Sequence, residues 1–165
     1  HSRKTGLWGR IQEDSFLKGT GMIGIVVADT AFGEKNQIIF NDLNKTVEKI
    51  GEANLVYVNL SSQIMHADFA IMNITEINNY YGGTLVATCP MTADIVAKAT
   101  VNAKKIWYMF DLGFLMRSYG FKETFNLLKK ITPVVRSDAH AQFIKNLFGI
   151  TPQIMPTFEV KELWK

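Results

Sequence analysis

Residues 84–111 constrain this chain more than any other stretch. They read as a strand (TLVAT, 84–88), a helix capped by Thr92 and running through Lys98, and a second strand (KIWYMF, 105–110) that ends in one acid, Asp111. Two strands joined through a helix in this way lie parallel, linked by a right-handed crossover. An open parallel sheet binds its ligands beyond the carboxyl ends of its strands. Asp111 falls at such an end and is the leading candidate for a working residue. The turn before the first strand pairs aromatic and glycine residues, Tyr80-Tyr81-Gly82-Gly83.

The same alternation runs through the rest of the chain. Residues 22–27 (MIGIVV) are continuously apolar, as in a strand covered on both faces. Residues 34–49 follow as an amphipathic helix with Ile39, Leu43, Val47 and Ile50 on one face, ended by Gly51. Residues 54–60 and 68–72 read as the second and third strands. A helix over 121–130 buries Phe121, Phe125 and Leu128, and residues 133–136 form a short sixth strand. Ser137 then caps a helix with Phe143, Ile144, Leu147 and Phe148 on its apolar face and Gly149 at its end. Residues 153–155 read as a last strand. The expectation is an α/β protein with a doubly wound, mostly parallel, Rossmann-like sheet of about six to seven strands. Residues 22–165 form this one domain, and residues 1–21 an N-terminal extension or hairpin.

A length of 165 residues with 47% hydrophobic content supports one real core. No apolar run approaches the ~20 residues that cross a bilayer, and the polar, basic start HSRKTGLWGR lacks the apolar core of a signal peptide. The expectation is a cytoplasmic protein without a membrane span. The single cysteine, Cys89, excludes an internal disulfide and reads as a small buried hydrophobe rather than a reactive thiol. A formal charge of +3 permits a phosphate-rich partner without requiring one. The pairs Lys104-Lys105 and Lys129-Lys130 read as solvated surface or as phosphate contacts.

Several chemistries lack their motifs. There is no G-x-x-x-x-G-K-[ST] loop and no G-x-G-x-x-G after the first strand, which argues against dinucleotide and flavin binding. His66 and His140 stand far apart and no metal-ligand spacing occurs, so no metal site is expected. Arg136, Ser137 and His140 sit where a strand passes straight into a helix. They could hold an anion or a sugar hydroxyl, or form a plain capped helix. Asp29, after the first strand, either bonds a substrate hydroxyl or stabilises its turn.

Residues 73–111, with Asn73, Ile77-Asn78, Tyr81-Gly82-Gly83 and Lys105-Ile106-x-Tyr108-x-Phe110 followed by an acid, resemble the T-even phage DNA β-glucosyltransferase family. More broadly, the strand order and the passage VVRSDAHAQFIKNLFGI resemble the N-terminal Rossmann-like domain of GT-B glycosyltransferases. The resemblance implies that Asp111 is the catalytic base. Gly82 and Gly83 of the shared turn are candidate substrate contacts, beside Asp29, Arg136, Ser137 and His140 from the residue reading above. It implies an acceptor-binding half that carries no cofactor of its own, a nucleotide-sugar donor in the complete enzyme, and a C-terminal donor-binding domain as partner. DNA is among the acceptors implied, and a phage-encoded protein would work in the host cytoplasm. The alternative is a non-catalytic α/β module that binds a ligand or a protein at the same sheet edge.

Overall fold

Strands and helices alternate in this chain because two hydrophobic patterns alternate. The computed structural model describes residues 22–27, 34–50, 55–59, 70–80, 83–116 and 120–163. Strand β1 (Ile23–Val27) leads into helix α1 (Glu34–Ile50), then strands β2 (Leu55–Asn59) and β3 (Ala70–Asn73). A 3-10 turn (Ile74–Asn79) precedes β4 (Thr84–Ala87), followed by α2 (Pro90–Lys98) and β5 (Lys104–Met109). A second 3-10 turn (Gly113–Met116) leads to α3 (Phe121–Leu127), β6 (Thr132–Val135), α4 (Asp138–Phe148), β7 (Gln153–Ile154) and the single-turn α5 (Val160–Leu163). Residues 1–21, read above as an extension or hairpin, lie outside the described residues, as does Gly51.

The strands form one sheet in the order β3-β2-β1-β4-β5-β6-β7, and every pairing is parallel. The order turns back between β1 and β4, the kind of place where an open parallel sheet binds its ligands. The α/β class and the parallel sheet agree with the sequence reading. No helix among the described residues is long and apolar enough to cross a membrane.

Period-two alternation divides β5 between two cores. Trp107 and Met109 join Leu85, Ala87 and Val135 on one face, beneath Ala93 and Val96 of α2 and Ile144 and Phe148 of α4. Ile106, Tyr108 and Phe110 join Ile25, Val86 and Val134 on the other, beneath Ile39 and Leu43 of α1 and Phe158, Val160 and Leu163 of the closing segment. Covering both faces explains why β1 and β4 are buried at every position.

Three local expectations change. Thr92 does not cap α2. The helix begins earlier, with Cys89 at the cap and Pro90 in the first turn, and Thr92 is the third helical residue. Its hydroxyl reaches back to the cap backbone, and proline fits the first turn because it has no N–H to lose there. In α3 the buried residues are Thr124 and Leu127, while Phe121 and Phe125 are 51% and 38% exposed. Those two rings stack on one another and on Phe148 rather than entering the core. In α4 the buried stripe is Ala141, Ile144 and Phe148, and Phe143 and Leu147 are exposed. Each of the latter lies one position, or about 100°, away from that stripe.

Candidate functional site

Past the carboxyl ends of β4 and β5 lies a cavity of about 260 Å³. The end of β4 and the start of α2 supply Thr88, Cys89 and Pro90. Strand β5 and its exit supply Trp107, Met109, Phe110 and Asp111, and the 3-10 turn after it supplies Phe114. The cavity adjoins the point where the strand order reverses.

The floor at β4 is tied down by hydroxyl groups. The Thr88 hydroxyl donates to the Val26 carbonyl of β1 at 2.8 Å. The backbone N–H groups of Thr88 and Cys89 both donate to the Thr92 hydroxyl, at 2.9 and 3.1 Å. That hydroxyl donates in turn to the Cys89 carbonyl at 3.1 Å. Of the donors that a helix start usually offers an anion, the Cys89 N–H is spent on Thr92 and Pro90 has none. Cys89 is half-buried, with its sulfur 3.6 Å from the Thr92 hydroxyl.

Aromatic residues stand in the walls, although most of the surface open to the cavity is polar. Trp107 and Phe114 lie 5.1 Å apart between ring centroids. Phe110 is backed by Phe158 at 5.7 Å and Tyr108 at 4.8 Å. Trp107 and Tyr108 point to opposite faces of the sheet, so only Trp107 reaches the cavity. Asp111 is exposed at the rim. Its Oδ1 accepts a hydrogen bond from the Gly113 N–H at 2.8 Å. No further partner of this carboxylate occurs among the described residues.

Arg136 lies behind the wall. Its guanidinium sits over the Phe110 ring, 5.6 Å from the centroid, and its Nε donates to the Pro156 carbonyl at 3.2 Å. Ser137 caps α4, accepting from the His140 N–H at 3.1 Å. The His140 Nδ1 is buried without a hydrogen-bond partner among the described residues. These three residues stand at the same sheet edge as Asp111, but none lines the cavity.

Gly83 is not brought to this edge. It precedes β4 and therefore lies at the amino end of the sheet, in a left-handed conformation with φ 75°. A side chain there would run into the Met22 backbone, so glycine is required by a close chain approach rather than by a ligand. Asp29 and Gly82 lie outside the described residues. The lysine pairs also sit away from the cavity, at the amino ends of β5 and β6. Lys105 donates to the Ala97 and Ala99 carbonyls at the end of α2. Burial, with Lys130 nearby, pushes its pKa down. Among the described residues no cluster of His, Cys, Asp or Glu could hold a metal ion.

No family model, curated protein or solved structure matches this chain. The site must therefore be judged on its own chemistry. Sequence reading missed Thr88, Gly113 and Phe114. The Asp-x-Gly spacing at Asp111 and Gly113 was a usable signal, because an aspartate often accepts from the N–H two residues on.

Proposed function

We propose that this chain is the acceptor-binding domain of a nucleotide-sugar-dependent glycosyltransferase, with Asp111 as the general base. What carries the reading is one carboxylate, free on one oxygen, at the rim of a small cavity beyond the carboxyl ends of β4 and β5. A strand order that begins 3-2-1-4-5-6, as in Rossmann-like domains, supports it.

The cavity suits the acceptor side rather than the donor side. A nucleotide diphosphate needs free N–H groups or cations; at the start of α2 the Thr88 and Cys89 N–H groups are taken by Thr92 and Pro90 has none, and no Lys or Arg among the described residues lines the cavity. A cavity of about 260 Å³ has room for one ring, with Thr88, Cys89 and Asp111 in its lining beside Trp107, Phe110 and Phe114. A hydroxyl on that ring would face Asp111. As the acceptor oxygen bonds to the anomeric carbon of the sugar, its proton passes to the Asp111 carboxylate. The nucleoside diphosphate leaves with the electron pair of the broken bond. A carboxylate suffices because the hydroxyl becomes acidic only as the new bond forms.

DNA carrying a hydroxymethylated base is one acceptor of this kind, with the base turned out of the duplex into the cavity. The test is titration of the chain with duplexes containing hydroxymethylcytosine or cytosine, at low and moderate salt, paired with a transfer assay of the complete enzyme, donor-binding domain included. Preference for the modified duplex should survive in Asp111→Asn, while transfer falls at least about 100-fold. Equal binding of both duplexes that vanishes with salt would remove DNA as the acceptor. Undiminished transfer in Asp111→Asn would remove Asp111 from the mechanism. Binding of neither duplex would favour another acceptor or the alternative, a non-catalytic binding module.

A further inference from the structure

We propose, resting on the assignment of Asp111 as the base, that Gly113 is a positioning residue: its backbone N–H fixes one carboxylate oxygen of Asp111 so that the other faces the acceptor. Asp111 is exposed and, without a restraint, its carboxylate would sample several rotamers. The Gly113 N–H holds Oδ1 at 2.8 Å, which leaves Oδ2 to take the proton. A base held in one orientation keeps the reacting atoms in line, and a displacement near 1 Å costs up to about 100-fold in rate.

The restraint is itself anchored. Gly113 opens the 3-10 turn Gly113–Met116, which the Leu115 N–H closes onto the Leu112 carbonyl at 3.0 Å. Phe114, the next residue, packs on Trp107 at 5.1 Å, and Trp107 is 1% exposed. The cavity wall thus holds the turn, and the turn holds the carboxylate. Both rings also line the cavity, so a ligand that presses on Phe114 acts on the turn that aims the base.

A side chain at this position would touch the carboxylate. A Cβ on Gly113 would stand 3.1 Å from Asp111 Oδ1 and meets no other heavy atom within contact range among the described residues. Gly113→Ala therefore crowds the carboxylate alone, and the exposed carboxylate yields by rotating. The substitution disturbs the aim of the base and leaves the packing intact.

Two measurements test this. In the wild-type chain, an NMR acid titration should show the Gly113 amide proton shift moving together with the Asp111 carboxyl carbon shift. In Asp111→Asn the amide shift should become independent of pH. A Gly113 amide that stays flat while the Asp111 carbon titrates overturns the proposal. In the transfer assay of the complete enzyme, Gly113→Ala should lower kcat about tenfold or more with KM and melting temperature unchanged. Unchanged kcat in Gly113→Ala, alongside loss of transfer in Asp111→Asn, overturns the positioning role and leaves Asp111 as base. Transfer that survives in Asp111→Asn overturns both.

Discussion

The Asp42 carboxylate accepts a hydrogen bond from the backbone N–H of Val160 at 2.8 Å, joining α1 to the last helix across 118 residues of sequence. The closing segment has few other polar ties. The Tyr108 phenol donates to the Met155 carbonyl at 2.7 Å, and Arg136 holds the Pro156 carbonyl. Asp42 is half-buried, and that burial holds its pKa above the ordinary value of 3.8. The Val160 bond opposes the rise, Glu159 adds to it, and Lys45 and Lys161 oppose it.

The folded protein therefore keeps a proton on Asp42 at a pH where the unfolded chain has lost it. Between 3.8 and the raised folded value the native state binds more protons, so the contribution of Asp42 to stability falls as pH rises through that window. Above the window the loss is constant. Asparagine keeps a carbonyl oxygen for the Val160 N–H and carries no charge. Asp42→Asn should thus be more stable than the wild type near neutral pH. Solvent screening at this half-buried position limits the gain to a few tenths up to about 1 kcal/mol. The gain should vanish below the window. Denaturant melts at acid and neutral pH check this. A less stable Asn variant near neutral pH would mean that the ionised carboxylate favours the fold.

Gly83 yields a sharper test, because the resemblance and the geometry assign it different roles. If it serves only to let β4 pass Met22, then Gly83→Ala should destabilise the protein by more than the ~1–2 kcal/mol of a left-handed alanine. The Met22 backbone stands where the new Cβ would go. The expected result is little folded protein, or a melting temperature lower by ten degrees or more. A stable Gly83→Ala variant with impaired ligand binding would return this glycine to the binding site.

How much of this could be read in advance depends on the kind of pattern. The alternation of β5 was legible because each core takes every second residue: Trp107 and Met109 go one way, Ile106, Tyr108 and Phe110 the other. The boundaries of α4 were legible because Ser137 and Gly149 carry local chemistry. Periodicity buries Phe121 and Phe125 and puts Phe143 and Leu147 on an apolar face, yet all four are exposed, because it marks an apolar stripe but not how wide the facing groove is. Thr92 was misread because a residue that bonds back to the cap resembles the cap itself; Pro90 was the better guide. At the site, the place of Asp111 beyond β5 followed from strand order. The partnership with Gly113 and the backing of Phe110 by Phe158 depend on turn geometry and long-range packing, which periodicity does not encode.

Phe158 tests whether the closing segment shapes the candidate site. Its ring is 2% exposed, stacks on Phe110 at 5.7 Å and meets Tyr108 edge-on at 5.2 Å. Phe110 is at once the partner of Phe158 and a wall of the cavity. Phe158→Ala should cost about 3–5 kcal/mol, the usual range for removing a buried aromatic ring. Phe158→Leu keeps most of the volume and should cost about half as much or less. In the leucine variant the fold persists, so local effects can be separated from global ones. Amide hydrogen exchange at Phe110 and Asp111 should quicken more than at Leu85 and Val86 in the middle of the sheet. A uniform change across all four residues would show only lower global stability and would uncouple the closing segment from the cavity.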